Sequence, residues 1–150
     1  MGLILVSRVS PRIYPFDSLI LAETMQRMGI RAFVGKLSMD ISTRPTYIEP
    51  THFESVASAR SFIDRMKALT SHLPDHARLV EPVLTPRFVP TCSDALLRGL
   101  GELADQTGIR VQSHLAEARD QMKAVQDSRG MSDLEVFERV SRLQNTLSYD

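Results

Sequence analysis

Cysteine occurs once in the chain, tryptophan is missing, and neither sign of charge is in excess, since 18 basic residues meet 18 acidic ones. A single thiol, Cys92, cannot close an internal disulfide, which excludes a disulfide-stapled secreted scaffold and suits a reducing, cytoplasmic setting. Zero formal net charge removes the long-range positive field on which nucleic-acid binding draws, so no nucleic-acid partner is expected. The apolar opening at residues 1–6 gives way to Arg8, too soon for a membrane span or a secretory signal. Short motifs are missing too. The chain has no glycine-rich phosphate loop, no GxGxxG, no HExxH, no paired-cysteine zinc spacing and no GxSxG elbow.

What is present suits one globular domain of 150 residues, 43% hydrophobic and 24% charged. Residues 3–7 read as a strand, the prolines at 11 and 15 as a break, and residues from Asp17 to the stop at Gly29 as a helix. Ala32, Phe33 and Val34 form a second strand core ended by Gly35, and residues 38–50 read as loop. Thr51 and Glu54 have capping-box spacing ahead of a long helix. Residues 79–84 form a third strand that Pro82 makes irregular. Ser93 or Asp94 caps the next helix and Gly108 ends it. Residues 109–113 are expected as a fourth strand, followed by a helix that stops at Gly130. Ser132 and Glu135 open a last helix. The alternation predicts an α/β fold with parallel pairing and about four strand-helix units. A complete eight-fold barrel needs about 250 residues, so barrel-like features would belong to part of one.

Residues with chemical potential collect where strands give way to loops. His114 ends the expected fourth strand, with Glu117 three residues on. A strand-end imidazole can bind a metal, and a nearby carboxylate can carry a proton for metal-bound water; ordinary surface or cap chemistry is the alternative. Arg87 and Phe88 follow the third strand and should emerge beside His114. A guanidinium fork and a flat ring could grip a planar, carbonyl-bearing heterocycle, against the alternative of a surface arginine on a proline-stiffened loop. His72 and His76 have helical ligand spacing, but Pro74 between them spoils the helix. His52 follows a cap and should face solvent, and Cys92 fits core or loop packing.

Three blocks in register carry a resemblance. They are Arg31-Ala32-Phe33-Val34-Gly35-Lys36 with Met39-Asp40, then Val83-Leu84-Thr85-Pro86-Arg87-Phe88 with Cys92-Ser93, and Gln112-Ser113-His114-Leu115-Ala116-Glu117. In order and separation the chain resembles the guanine deaminases, zinc-dependent members of the amidohydrolase superfamily. The resemblance covers residues 17–143, with segments 1–16 and 144–150 diverging at the ends. It implies a partial (β/α)8 TIM-type barrel containing strands two to five. It implies His114 as a zinc ligand, Glu117 as the proton shuttle, and Arg87 and Phe88 as the residues that bind and stack on guanine. The implied reaction converts guanine to xanthine and ammonia. Family members carry further metal ligands on strands one, six and eight that have no counterpart here. The chain alone is therefore expected to be inactive and to hold no zinc stably. The alternative expectation is a non-catalytic interaction or regulatory fragment that pairs with a full-length subunit or forms a homo-oligomer, since open sheet edges invite partners.

Overall fold

The computed structural model describes residues 3–7, 16–42, 49 and 51–147, with side chains at 18–42, 49 and 51–140. The expected break at 10–15 and the loop prolines Pro45 and Pro50 lie outside the described residues. Three strands, β1 (Leu3–Ser7), β2 (Ala32–Ser38) and β3 (Val80–Pro86), pair in parallel in the order β1-β2-β3. Among the described residues five helices accompany them: α1 (Phe16–Arg27), α2 (His52–Thr70), α3 (Asp94–Thr107), α4 (Arg119–Arg129) and α5 (Asp133–Leu147).

This sheet overturns the expected partial barrel of about four strand-helix units. It is open, and residues 109–113 join it through one bridge, Leu84 to Val111. The reason lies on the partner strand. Leu84 N–H donates to the Arg110 carbonyl at 2.9 Å, and its carbonyl accepts from Gln112 N–H at 2.9 Å. In a parallel ladder every second residue faces the same neighbour, so Pro82 and Pro86 share that edge with Leu84. Proline has no N–H to donate, so Pro86 cannot carry the ladder on to the Gln112 carbonyl. Beyond the bridge, His114 N–H bonds instead to the Arg87 carbonyl, 3.0 Å away in the loop after β3.

Gly35 does not end β2, which continues to Ser38. A Cβ at Gly35 would collide with Thr85 Oγ1 and lie 2.8 Å from the Val83 carbonyl oxygen. Glycine lets β2 and β3 run side by side at this point. The local signals at helix ends hold. Thr51 accepts from Glu54 N–H at 3.2 Å and Ser93 from Leu96 N–H at 3.1 Å. Gly108 and Gly130 close α3 and α4 with φ of 67° and 69°, the left-handed stop that glycine takes without strain.

Two apolar clusters hold the elements together. In one, Ala22 and Met25 of α1 and Phe62 and Met66 of α2 cover Ala32, Val34 and Val80. In the other, Ala59 and Ile63 on an adjoining stripe of α2 meet Leu84, Val89, Cys92, the Leu96-Leu100-Leu103 stripe of α3, and Val125, Val136 and Val140 of α4 and α5. A buried ion pair joins Lys36 of β2 to Glu49, whose second carboxylate oxygen accepts from Ser55 Oγ of α2 at 2.7 Å. Glu49 N–H also reaches the Met39 carbonyl at 3.2 Å. These bonds pin both ends of the connection leaving β2, the end from which the candidate site is built.

Candidate functional site

The loop after β3 organises the site through one carbonyl. Arg87 O accepts from His114 N–H at 3.0 Å, from His114 Nδ1 at 2.8 Å and from Ser113 Oγ at 3.3 Å. Arg87 N–H in turn donates to the Ser38 carbonyl at the end of β2, 3.0 Å away. Three chain segments thus meet at residue 87, and the expected neighbourhood of Arg87 and His114 exists. A carbonyl can only accept, so Nδ1 of His114 carries the proton. In the neutral ring this leaves Nε2 with its lone pair free, the tautomer that a second-neighbour carbonyl selects in metal-binding histidines. The side chain of His114 is exposed.

Arg87 and Phe88 are both half-buried. The guanidinium carbon sits 5.0 Å from the Phe88 ring centroid, and Nη1 approaches Met39 Sδ at 3.9 Å. The cation lies over the aromatic ring, so a planar ligand stacking on that face of the ring must displace the guanidinium. Asp40 braces the floor of this region. It accepts from Ser93 N–H at 2.8 Å and Ser93 Oγ at 2.5 Å, tying the end of the β2 segment to the start of α3.

Glu117 is exposed and follows Ala116, which has a φ of 50°. Left-handed backbone costs a residue with a Cβ on the order of 1 kcal/mol. Glu117 N–H donates to Gln121 Oε1 at 3.2 Å, and Gln121 Nε2 donates to Asp133 Oδ1 at 2.6 Å. Sequence reasoning passed over Gln121 and Asp133. Their one local signal is the position of Gln121 four residues after Glu117, within reach back across the first turn of α4.

The remaining candidates are dispersed. His72 is exposed, and His76 is exposed in a short 3-10 turn, Asp75–Ala77, so the two share no helix face. His52 does not simply face solvent; it is half-buried with its ring 4.0 Å from that of Phe53. Cys92 is fully buried, its Sγ 3.4 Å from the Ser38 carbonyl, and burial pushes its pKa up to about 11. Among the described residues no group of three or more His, Cys, Asp or Glu could hold a metal ion. The described donor set therefore falls short of a catalytic zinc site, which takes about three protein ligands, although the free Nε2 of His114 is a suitable single donor.

Residues 10–143 match the profile of the Amidohydrolase family. A guanine deaminase of Dictyostelium discoideum is 38% identical over 106 residues, covering 71% of this chain and 22% of that protein. The chain thus spans about a quarter or less of the length of curated relatives such as this one and the human guanine deaminase, of which it covers 24%. Among solved structures, the guanine deaminase from C. acetobutylicum, with guanine bound in its active site, superposes with a TM-score of 0.77 at 28% identity. The match covers 93% of this chain and 31% of that one. An adenosine deaminase from Xanthomonas campestris with bound zinc shares the fold, with a TM-score of 0.64 at 23% identity over 85% of this chain and 26% of that one.

Proposed function

The chain belongs to the amidohydrolase family, and we propose that it carries the purine-binding and proton-transfer portion of a guanine deaminase. The observation that carries this reading is the junction at residue 87, which places the base of the Arg87-Phe88 pair against His114. Arg87 offers a fork of donors to the carbonyl edge of guanine, and Phe88 offers a face for the fused rings. Glu117 is the carboxylate available to move protons toward the departing ammonia, leaving xanthine. When a metal is bound in this family, it supplies Lewis acidity and a nucleophile formed from water at neutral pH. His114 would offer one imidazole to such a metal, and the described residues of this chain would not complete its coordination.

Guanine titrated into isotopically labelled protein should shift the Arg87 side-chain and Phe88 ring resonances. Arg87→Ala should weaken that response about tenfold or more, the loss of a charge-assisted hydrogen bond. Adenine, which has no carbonyl, should compete poorly. Shifts confined to other surfaces, or a response untouched by Arg87→Ala, would remove the purine reading.

A second reading, non-catalytic pairing with a longer copy of the family, is favoured by an apolar groove of about 340 Å³ lined by Leu97, Leu100, Val111, Leu115, Leu134 and Phe137. Val111, Leu115 and Leu134 are each roughly half exposed there, at 48%, 48% and 56%. Apolar clusters of this kind mark protein contacts. Light scattering that gives a strict monomer with and without an intact guanine deaminase would rule this reading out.

A further inference from the structure

Glu117 lies in a segment that packing does not hold. Residues 114–120 are all exposed, and the chain reverses through the left-handed backbone of Ala116 immediately before the glutamate. A conformation of this kind persists where surrounding bonds over-determine it. Here the bonds come from outside the segment. The half-buried Gln121 uses both ends of its side-chain amide: Oε1 accepts from Glu117 N–H, and Nε2 donates to Asp133 Oδ1. The orientation of that amide is unambiguous, because a backbone N–H only donates and a carboxylate only accepts. Asp133 is itself fixed, 4% exposed and the first residue of α5, where the positive end of the helix favours a carboxylate. His114 hangs from the Arg87 carbonyl, whereas Glu117 has its own separate anchor.

We propose that Gln121 and Asp133 are positioning residues for Glu117, with Asp133 acting through the Gln121 amide to hold the turn at Ala116 and set the direction from which the glutamate approaches the site. The inference rests on reading Glu117 as the proton carrier. It makes Asp133 at the start of α5 part of the scaffold that holds the proton carrier. Glutamine suits the middle position because it has a donor and an acceptor on one planar group. Alanine there removes both bonds, and asparagine in place of Asp133 keeps the acceptor.

Amide hydrogen exchange on the full 150-residue chain tests the arrangement. Gln121→Ala and Asp133→Ala should each raise exchange at the Glu117 amide about tenfold, the factor that losing one net hydrogen bond implies. Asp133→Asn should stay near the wild-type rate. Amides of Val34 and Leu84 in the sheet serve as the folding control and should not change. Should Asp133→Ala fail to fold, the Gln121→Ala and Asp133→Asn pair decides the matter. Unchanged exchange at Glu117 in Gln121→Ala with the sheet intact, or a loss in Asp133→Asn as complete as in Gln121→Ala, overturns the proposal. A second readout separates positioning from mere stability. Adding guanine should move the Glu117 carboxyl carbon resonance in the wild type and Asp133→Asn. In Gln121→Ala it should move only Arg87 and Phe88. If guanine moves none of these groups in the wild type, the purine reading fails, while the exchange result still decides whether Gln121 and Asp133 hold the turn.

Discussion

At residue 92 the thiol is sealed beneath the β2 end, and burial raises its pKa from 9.0 to about 11. The raised value favours the neutral form in the folded chain. Below about pH 9 both folded and unfolded states hold the proton and the contribution to stability is fully present. Between 9 and 11 the unfolded state ionises first, so stability falls with rising pH by about 2–3 kcal/mol in all. Denaturant midpoints should therefore drop more steeply between pH 8.5 and 10.5 in the wild type than in Cys92→Ala, and a thiol reagent at pH 8 should react only on unfolding. Ala116 gives a second test at this scale. Ala116→Gly should be neutral or stabilising by up to about 1 kcal/mol, because relief of the left-handed strain opposes the added freedom of the unfolded chain. Ala124→Gly, at an exposed site inside α4, should instead cost about 1 kcal/mol. Thermal melts of the two variants measure the difference.

Among the elements, what the sequence made legible was what is local. The caps at Thr51 and Ser93 and the stops at Gly108 and Gly130 stand where their residue types placed them, since each is satisfied within one helical turn. The fourth strand was misread because part of its failure is not written in residues 109–113 but in Pro86 on its neighbour, which has no N–H for the next rung. Gly35 was misread as a stop because its reason, the approach of Thr85, lies across the sheet. At the site, Arg87 and Phe88 follow β3 as expected, whereas the strand that His114 was expected to end is reduced to one bridge, and the Gln121-Asp133 support was not legible, since its ends belong to different helices. The Lys36-Glu49 pair joins elements in the same non-local way. Lys36→Met should cost about 3–5 kcal/mol by leaving the Glu49 carboxylate buried without its partner. Lys36→Met combined with Glu49→Leu should recover part of that loss, as chemical denaturation would show. Gly35→Ala should destabilise by at least about 1–3 kcal/mol, because the added methyl forces β2 and β3 apart.

Across the whole molecule, the described residues form an open three-stranded sheet with helices packed against it, and the chain spans about a quarter of the length of the guanine deaminases it matches. The described residues gather a guanidinium, an aromatic face, one imidazole with a free nitrogen and a separately anchored carboxylate, and among them no cluster of three metal-binding side chains. On the proposed reading, substrate grip and proton transfer fall to this chain, and the greater part of metal binding to residues beyond those described. Zinc stoichiometry on the purified 150-residue protein, read together with xanthine formation from guanine, tests that division most directly. The expected result is well under one zinc per chain, removed by mild chelation, and no xanthine above the blank. One tightly held zinc per chain with sustained xanthine production would contradict it.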